Sequence, residues 1–214
     1  MSSDNNHDTL EITIEVPHPH ERTRLVRAAG IEPRRTARDA LRIAGLESGD
    51  LVSVASLESS LAEAEPVAAL ERAIRLLGHR EHSSLEIAQR LDRDGYPEPV
   101  IKAVIERLSG WGYIDESRYT ESLIVTKKMS GWGRSRIGRA LRDSGISDDA
   151  ISDALDAHLP EDGELDRASA HLRPARDSDS RWADRQVARL MRKGFTYEIA
   201  RKAVYRSINS SDDS

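Results

Sequence analysis

The side chains best suited to chemistry in this sequence are two runs of arginine and lysine in its C-terminal half. No acidic residue lies between Glu121 and Asp143, and only two lie between Arg181 and Arg206. Cationic groups at helical spacing can neutralise phosphates or bind an acidic protein groove, and the same spacing is also typical of a solvated helix face. The candidate binding residues from these runs are Lys127, Lys128, Arg134, Arg136, Arg139, Arg142, Arg185, Arg189, Arg192 and Lys193.

Tryptophans near these runs could add a stacking surface. Trp111, Trp132 and Trp182 lie close to the ends of predicted helical units. A tryptophan beside arginines can stack on an unpaired base, although tryptophan also commonly fills the gap between packed helices. Trp132 is flanked by Gly131 and Gly133, which predict a loop and make it the tryptophan expected to be exposed. We therefore add Trp132 to the candidate binding residues.

Side chains that could support catalysis or hold a metal are sparse. His79 and His82 have no nucleophile or carboxylate arrangement that resembles a catalytic motif, and His18 and His20 flank a proline in a predicted turn. The latter pair could bind a metal only with ligands from elsewhere. The chain has no cysteine, which excludes disulfides and thiolate metal sites. The sequence predicts no catalytic residue, no metal and no cofactor.

A repeat places the basic runs on helices. A glycine followed by a bulky apolar residue recurs at Gly95, Gly145 and Gly194, at intervals of 50 and 49 residues. In each copy an apolar helical stripe ends at the glycine, which can adopt a positive φ, and a second stripe begins a few residues later. Another helical stretch precedes each pair, at 66–77, 115–129 and about 165–172. A period of this length is typical of stacked helical units.

The N-terminal third has a different pattern. Alternating apolar residues from Leu10 to Val16 predict a half-buried strand, and a second strand is predicted around 25–26. Thr36 and Asp39 have the spacing of a capping box, which predicts a short helix that Gly45 closes. A further helix is predicted from 56 towards 65.

These patterns predict a mainly α fold, an elongated curved stack of three tandem three-helix repeats with a small N-terminal α+β extension. The predicted domains are a disordered tail at 1–8, a small α+β module at 9–55, a joint at 56–65, three-helix repeats at 66–114, 115–160 and 161–208, and a disordered tail at 209–214.

The composition agrees with thin cores between small helices. Hydrophobic residues make up 38% of the 214 residues and aromatic residues only 4%, which is little bulk for one large core. No apolar run approaches the ~18 residues of a membrane span, and no signal pattern begins the chain. We expect a soluble cytoplasmic monomer with no membrane partner. Its net charge of −5 argues against strong unspecific DNA binding by the whole chain.

Four segments in order resemble the signature segments of the RecX family, regulators of the RecA recombinase. They are HREHSSLEIAQRLDRDGY (79–96), GYIDESRY (112–119), GWGRSRIGRALRDSGI (131–146) and RLMRKGFTYEIARKAV (189–204). The resemblance covers about residues 40–207. The sequence departs from the family pattern at Arg134 and Ala140, where family members often have proline and glutamate, so the middle helix is more basic than expected.

The resemblance implies a modulator without catalytic activity of its own. Family members bind along the groove of the RecA filament on single-stranded DNA and inhibit filament extension, ATP hydrolysis, recombination and coprotease activity. The implied partners are the RecA filament, single-stranded DNA and, more weakly, double-stranded DNA. Two alternatives remain: a stand-alone DNA-binding regulator that contacts phosphates, and a helical enzyme, which a cleft with perturbed carboxylates or histidines would support.

Overall fold

The computed structural model describes residues 9–18, 20–173 and 181–212. Within these residues ten α-helices, five short strands and one 3-10 turn follow one another along the chain. The chain divides into two compact units, Met1–Asp115 and Glu116–Ser214. None of the helices in the described part of the chain is long and apolar enough to cross a membrane.

The first unit begins with short antiparallel strands. They are β1 (Thr9–Glu11), β2 (Thr13–Glu15), β3 (Thr23–Arg27), β4 (Arg34–Ala37) and β5 (Leu51–Ser53). β1 pairs with β5, whereas β2, β3 and β4 form a second sheet in that order. The single strand predicted at 10–16 is therefore split at Ile12, whose N–H donates to the carbonyl of Asp50 (2.9 Å) and whose carbonyl accepts from Gly49 (2.8 Å). The strand predicted around 25–26 is confirmed as β3.

The capping box predicted at Thr36 is wrong, although the short helix is present. Helix α1 spans Arg38–Ala44 and begins after Ala37 without a side-chain cap. Thr36 belongs to β4, and its hydroxyl donates instead to the buried Glu65 carboxylate at 3.1 Å. Gly45 ends the helix with a φ of 67°, as predicted.

One long helix replaces the two helices predicted at 56–65 and 66–77. Helix α2 spans Val54–Leu77 and contains Pro66, which removes one backbone donor and costs about 3 kcal/mol in a helix interior. The helix continues because its buried face is continuous. Leu57 and Leu61 pack into the core of the N-terminal module, and Ala68, Ala69, Ala73 and Leu76 pack into the core of the first repeat.

The repeats follow the predicted three-helix pattern. Their remaining helices are α3 (Ser84–Asp94) and α4 (Glu98–Gly110) in the first, α5 (Glu116–Met129), α6 (Arg134–Asp143) and α7 (Asp148–His158) in the second, and α8 (Glu164–Ala170), α9 (Trp182–Lys193) and α10 (Tyr197–Asp212) in the third. A 3-10 turn at Glu161–Gly163 precedes α8. The repeat glycines have positive φ values of 101° at Gly95, 87° at Gly145 and 94° at Gly194, as their helix-ending role requires.

The ends of the chain differ partly from expectation. Helix α10 continues to Asp212, so helix replaces the first part of the disordered tail expected at 209–214. A helix can extend here because each added residue continues the existing hydrogen-bond ladder. The tail predicted at 1–8 and the last two residues lie outside the described residues.

Each repeat has a separate small core. In the second repeat the largest buried side chains include Tyr119, Ile124, Ile137 and Leu141, from α5 and α6. The third core is smaller and is built around Leu190 and three alanines. The prediction of thin cores between small helices is confirmed.

Candidate functional site

The start of helix α6 lies directly against the end of helix α9. The N–H of Gly133 donates to the carbonyl of Lys193 at 2.8 Å, and the N–H of Ser135 donates to the carbonyl of Gly194 at 3.2 Å. This approach requires glycine, because a Cβ on Gly133 would lie 2.4 Å from the carbonyl carbon of Gly194. The two basic runs of the sequence, far apart along the chain, therefore meet in the second unit.

A cleft of about 480 Å³ lies where these helices meet. Arg136 and Arg139 project from α6, Arg192 projects from α9, and Trp132 lies beside them in the loop before α6. We call the surface formed by Trp132, Arg136, Arg139 and Arg192 the basic cleft. Among the described residues that line it, Asp143 is the one acidic side chain. Three guanidinium groups around one cavity can bind phosphate or carboxylate groups.

Trp132 is less exposed than predicted. Its ring is half-buried against the second core, the guanidinium carbon of Arg136 lies 3.7 Å from the ring centroid, and the Lys127 ammonium lies at 4.8 Å. The exposed tryptophan is Trp111, which retains 50% of its accessible surface, whereas Trp182 is buried. The prediction was wrong because two nearby cations pack on the Trp132 ring. The cation–π contact with the Trp132 ring therefore holds the Arg136 guanidinium in position.

All three cleft arginines present exposed side chains. Arg139 and Arg192 form no ion pair with any residue in the described ranges. Arg136 is also exposed, and one of its guanidinium nitrogens donates to the backbone carbonyl of Arg192 at 3.3 Å. This bond ties the two halves of the basic cleft together.

Three other predicted site residues have internal partners instead. Arg134 pairs with Asp156 and donates to the carbonyl of Leu159 at 2.9 Å, and only 17% of its side chain is exposed. Arg142 pairs with Asp148 at 2.6 Å between Nη2 and Oδ1. The third residue, Arg189, donates a hydrogen bond from its guanidinium group to the backbone carbonyl of His171 at 2.8 Å.

The remaining predicted residues lie around the basic cleft or away from it. Lys193 donates to the carbonyl of Gly131 at 3.3 Å, beside the cleft. Lys128 and Arg185 are exposed on α5 and α9 and do not line the cleft. Ser135 also lines the cleft and was not among the predicted site residues. Its position between two arginines of α6 is the feature of the sequence that could have indicated it.

A histidine near the cleft shows the effect of the local positive charge. Burial lowers the pKa of His171, and the nearby Lys193 and Arg189 lower it further. The ring lies next to Gly131, where an added Cβ would contact it. At neutral pH this imidazole is therefore uncharged and adds no cation of its own.

One of the two histidines considered for catalysis has a structural partner. His82 is buried, and its Nδ1 lies 2.9 Å from Glu86, which also binds Arg80 at 2.8 Å. Burial and then Arg80 lower the pKa of His82, against the opposing effect of Glu86. The described residues contain no group of three or more His, Asp or Glu side chains suited to a metal ion.

Comparison with known proteins identifies the repeats. The family model described as RecX, first three-helix domain, matches residues 69–108, and the model described as RecX, second three-helix domain, matches residues 115–155. Both matches lie on helices of the first two repeats.

Curated relatives and solved structures agree with these matches. The regulatory protein RecX of Halorhodospira halophila is 36% identical over 152 residues, which cover 67% of this chain and 91% of the relative. The regulatory protein RecX of Herbaspirillum seropedicae is 32% identical and is covered to 96%, whereas that of Bacillus velezensis is 28% identical and is covered to 57%.

The fold is also shared with crystal structures of such proteins. One structure of regulatory protein RecX has a TM-score of 0.54 at 20% identity and covers 89% of this chain and 96% of its own. RecX from Lactobacillus salivarius has a TM-score of 0.56 at 22% identity, over 66% of this chain and 96% of its own. The arrangement of three-helix repeats and the similarity to curated relatives together show that this chain belongs to the RecX family of regulatory proteins.

Proposed function

We propose that the chain regulates the RecA recombinase. In this proposal it binds along the groove of the RecA filament on single-stranded DNA and inhibits filament extension, ATP hydrolysis, recombination and coprotease activity. It acts in the cytoplasm as a monomer, without a cofactor or catalytic activity of its own. Membership of the RecX family supports this role.

The observation that carries the proposal is the convergence of two basic runs at one cleft. Arg136 and Arg139 from the second repeat and Arg192 from the third surround a cavity of about 480 Å³. A guanidinium group binds carboxylate or phosphate with two parallel hydrogen bonds, and charge-assisted hydrogen bonds contribute about 1.5–3 kcal/mol each. The basic cleft can therefore bind either an acidic surface of the filament or a DNA phosphate.

The structure refines the set of proposed contact residues. Arg136, Arg139 and Arg192 are proposed to touch the filament, with Trp132 and Lys127 supporting Arg136. The exposed Lys128 and Arg185 and the cleft-side Lys193 stay proposed contacts at the margin. Because their guanidinium groups have partners within the fold and are partly buried, Arg134 and Arg189 are proposed to stabilise the fold instead. Arg142 stays a proposed contact at the margin, because its ion pair with Asp148 is exposed to solvent.

ATP hydrolysis by the cognate recombinase tests the regulatory role. The full chain is added to RecA on single-stranded DNA at ratios well below one chain per RecA subunit. We expect inhibition that increases with the ratio and a shorter average filament in electron micrographs. Unchanged ATP hydrolysis at every ratio would show that the chain is not a RecA modulator.

Matched variants test the basic cleft. Replacing Arg136, Arg139 and Arg192 by alanine should raise the inhibitory concentration at least about tenfold, since three charge-assisted contacts are lost. Arg107→Ala is the control, because Arg107 is also an exposed arginine over a tryptophan, 4.4 Å from the Trp111 ring in the first unit. If the triple variant keeps its helicity and inhibits like the wild type, the cleft does not contact the filament.

A stand-alone DNA-binding regulator is the second candidate, because the same exposed arginines can bind DNA phosphates. In that case the chain would bind DNA without RecA, single-stranded more tightly than double-stranded, with an affinity that falls steeply as salt rises. Anisotropy of a labelled oligonucleotide measures this directly. Tight DNA binding with no effect on RecA would favour the second candidate.

A further inference from the structure

The third repeat replaces an ion pair of the second repeat with apolar side chains. In the second repeat Arg142 at the end of α6 pairs with Asp148 at the start of α7, 2.6 Å apart. The residues 49 positions later, at the same places in the third repeat, are Met191 and Tyr197. Met191 is 48% exposed and Tyr197 is 58% exposed.

A second ion pair is replaced in the same way. Arg134 at the start of α6 pairs with Asp156 near the end of α7. The corresponding residues of the third repeat are Ala183 and Tyr205, and Tyr205 is 67% exposed. The same face of the helix pair therefore carries two ion pairs in one copy and apolar side chains in the next.

The first repeat shows that a polar face is the shared pattern. The residues of the first repeat that correspond to Met191, Tyr197 and Tyr205 are all acidic. They are Asp92, Glu98 and Glu106. Three acidic residues in the first copy and two ion pairs in the second are compatible with a face in contact with water. The apolar side chains of the third repeat are an exception that solvation does not explain.

These apolar side chains form a groove between α9 and α10. Its volume is about 330 Å³, and Ala183, Met191, Tyr197 and Tyr205 all line it. We call the surface formed by these four residues the apolar groove. The core of the third repeat is built mainly by other side chains of the two helices, such as Leu190 of α9 and Ala200 of α10, and Val187 contributes to both the core and the groove. Both helices thus have one apolar face in the core and a second in the groove.

The surrounding charge decides which occupant fits the groove. Residues 181–206 include eight basic residues and two acidic ones. A second copy of this chain would bring two positively charged faces together, which like-charge repulsion opposes. Aliphatic lining residues such as Val187 and Val204 suit apolar side chains better than nucleotide bases. The complementary occupant is a segment with apolar side chains and negative charge.

We propose that the apolar groove binds an amphipathic acidic helix of a partner protein. Apolar side chains spaced three or four residues apart enter the groove, as in other helix-in-groove interfaces, and flanking carboxylates face the basic residues of α9 and α10. Arg201, which lines the groove, is one such residue, and Asp184 is the one acidic residue among the described residues that line it. This proposal does not depend on binding of RecA through the basic cleft.

A restored ion pair provides the test variant. Ala183→Arg combined with Tyr205→Asp places in the third repeat the residues that form the Arg134–Asp156 ion pair in the second. The variant should fold, because the second repeat already accommodates this pair at the same places. Neither position lines the basic cleft. Met129→Arg is the control, since Met129 is an 83% exposed methionine on α5 of the same unit.

The experiment selects a display library of helical peptides on the full-length wild-type chain and measures the enriched peptides by fluorescence anisotropy. We expect acidic peptides with apolar residues at helical spacing. The Ala183→Arg, Tyr205→Asp variant should weaken their binding at least about tenfold, as loss of an aromatic anchor does at interfaces. The Met129→Arg chain should bind them like the wild type.

Several results would overturn the proposal. One is a selection in which every enriched peptide binds the variant as tightly as the wild type. Another is enrichment of basic peptides. Sedimentation that shows a dimer only for the wild type would assign the groove to a second copy, and loss of oligo-dT binding in the variant would assign it to nucleic acid.

Discussion

The peptide N–H of Gly133 donates a 2.8 Å hydrogen bond to the carbonyl oxygen of Lys193. This contact joins the start of the second helix of one repeat to the end of the second helix of the next. It brings Arg136 and Arg192 to the same cavity. The basic cleft therefore depends on how closely two backbones approach.

Replacing Gly133 by alanine should destabilise the second unit. The added Cβ would lie 2.4 Å from the Gly194 carbonyl carbon, so the two segments must move apart. Such overpacking costs about 1–3 kcal/mol. Thermal unfolding followed by circular dichroism measures the change. Gly163→Ala is the control, because its Cβ would meet only the flexible end of Arg167 at 3.9 Å; equal melting temperatures for both variants would contradict the close approach.

Comparing Gly95→Ala with Gly45→Ala should separate the cost of backbone strain from the cost of disturbing the contact between β4 and the first repeat. Gly95 and Gly45 both end helices of the first unit with positive φ, but a Cβ on Gly95 would lie 2.8 Å from the Thr36 carbonyl, whereas Gly45 has nothing within 4 Å. Gly45→Ala should cost about 1–2 kcal/mol from the left-handed conformation alone. Gly95→Ala should lower the free energy of unfolding, measured by chemical denaturation, by more than Gly45→Ala does. The docking of β4 on the first repeat would be refuted by equal free energies of unfolding.

The arginines of helix α6 should differ in their effect on stability. Arg134→Ala removes contacts with Asp156 and the Leu159 carbonyl, from a side chain that is largely buried, and should lower the free energy of unfolding by about 1–3 kcal/mol. Arg139→Ala should change it by less than about 0.5 kcal/mol, because Arg139 is exposed. Urea unfolding of both variants is the measurement. A reversed order would mean that Arg139, not Arg134, supports the fold.

The first unit should lose stability in acid through Asp39. Burial raises the pKa of Asp39, but its ion pairs with Arg22 (2.8 Å) and Arg75 (2.9 Å) outweigh burial and hold the pKa below its ordinary value of 3.8. A carboxyl with a lowered folded pKa stabilises the protein above its unfolded pKa. This contribution disappears as the pH falls through the folded pKa.

Melting temperatures between about pH 6 and pH 2.5 test this prediction, because that window begins above the unfolded pKa of Asp39 and extends below it, towards its lowered folded pKa. Asp39→Asn should lower the melting temperature at pH 6 and flatten its decline in acid. Asp92→Asn is the control, since Asp92 is an exposed carboxylate of the same unit whose nearest ionic contact, with Arg35, is 3.4 Å long. Parallel pH curves for the wild type and Asp39→Asn would show that Asp39 does not contribute.

Much of the helical architecture could be predicted because its determinants are local. The glycine at the end of each second helix, the apolar stripes and the serine and threonine caps depend only on neighbouring residues. Ser147 and Thr196 cap α7 and α10 in this local way, accepting from the backbone N–H groups of Ala150 and Ile199. The capping box at Thr36 failed because its hydroxyl instead serves Glu65, a residue distant in sequence.

The candidate site could be predicted only as a set of residue types. The basic runs were visible in the sequence, but nothing local distinguishes Arg134, held by Asp156, from Arg139, which faces water. The partial burial of Trp132 could not be predicted from the sequence either, because Arg136 and Lys127 contact its ring from two different helices.

The sequence by itself determined the family, the three-helix repeats and the positions of the basic residues. Repeats and helix signals depend on the spacing of residues that are close together along the chain. Tertiary structure alone decided which arginines line the basic cleft and which have partners elsewhere in the chain. It also revealed that the apolar side chains of the third repeat join into one groove. These outcomes depend on backbones that approach within hydrogen-bond distance across long stretches of chain, as Gly133 and Lys193 do.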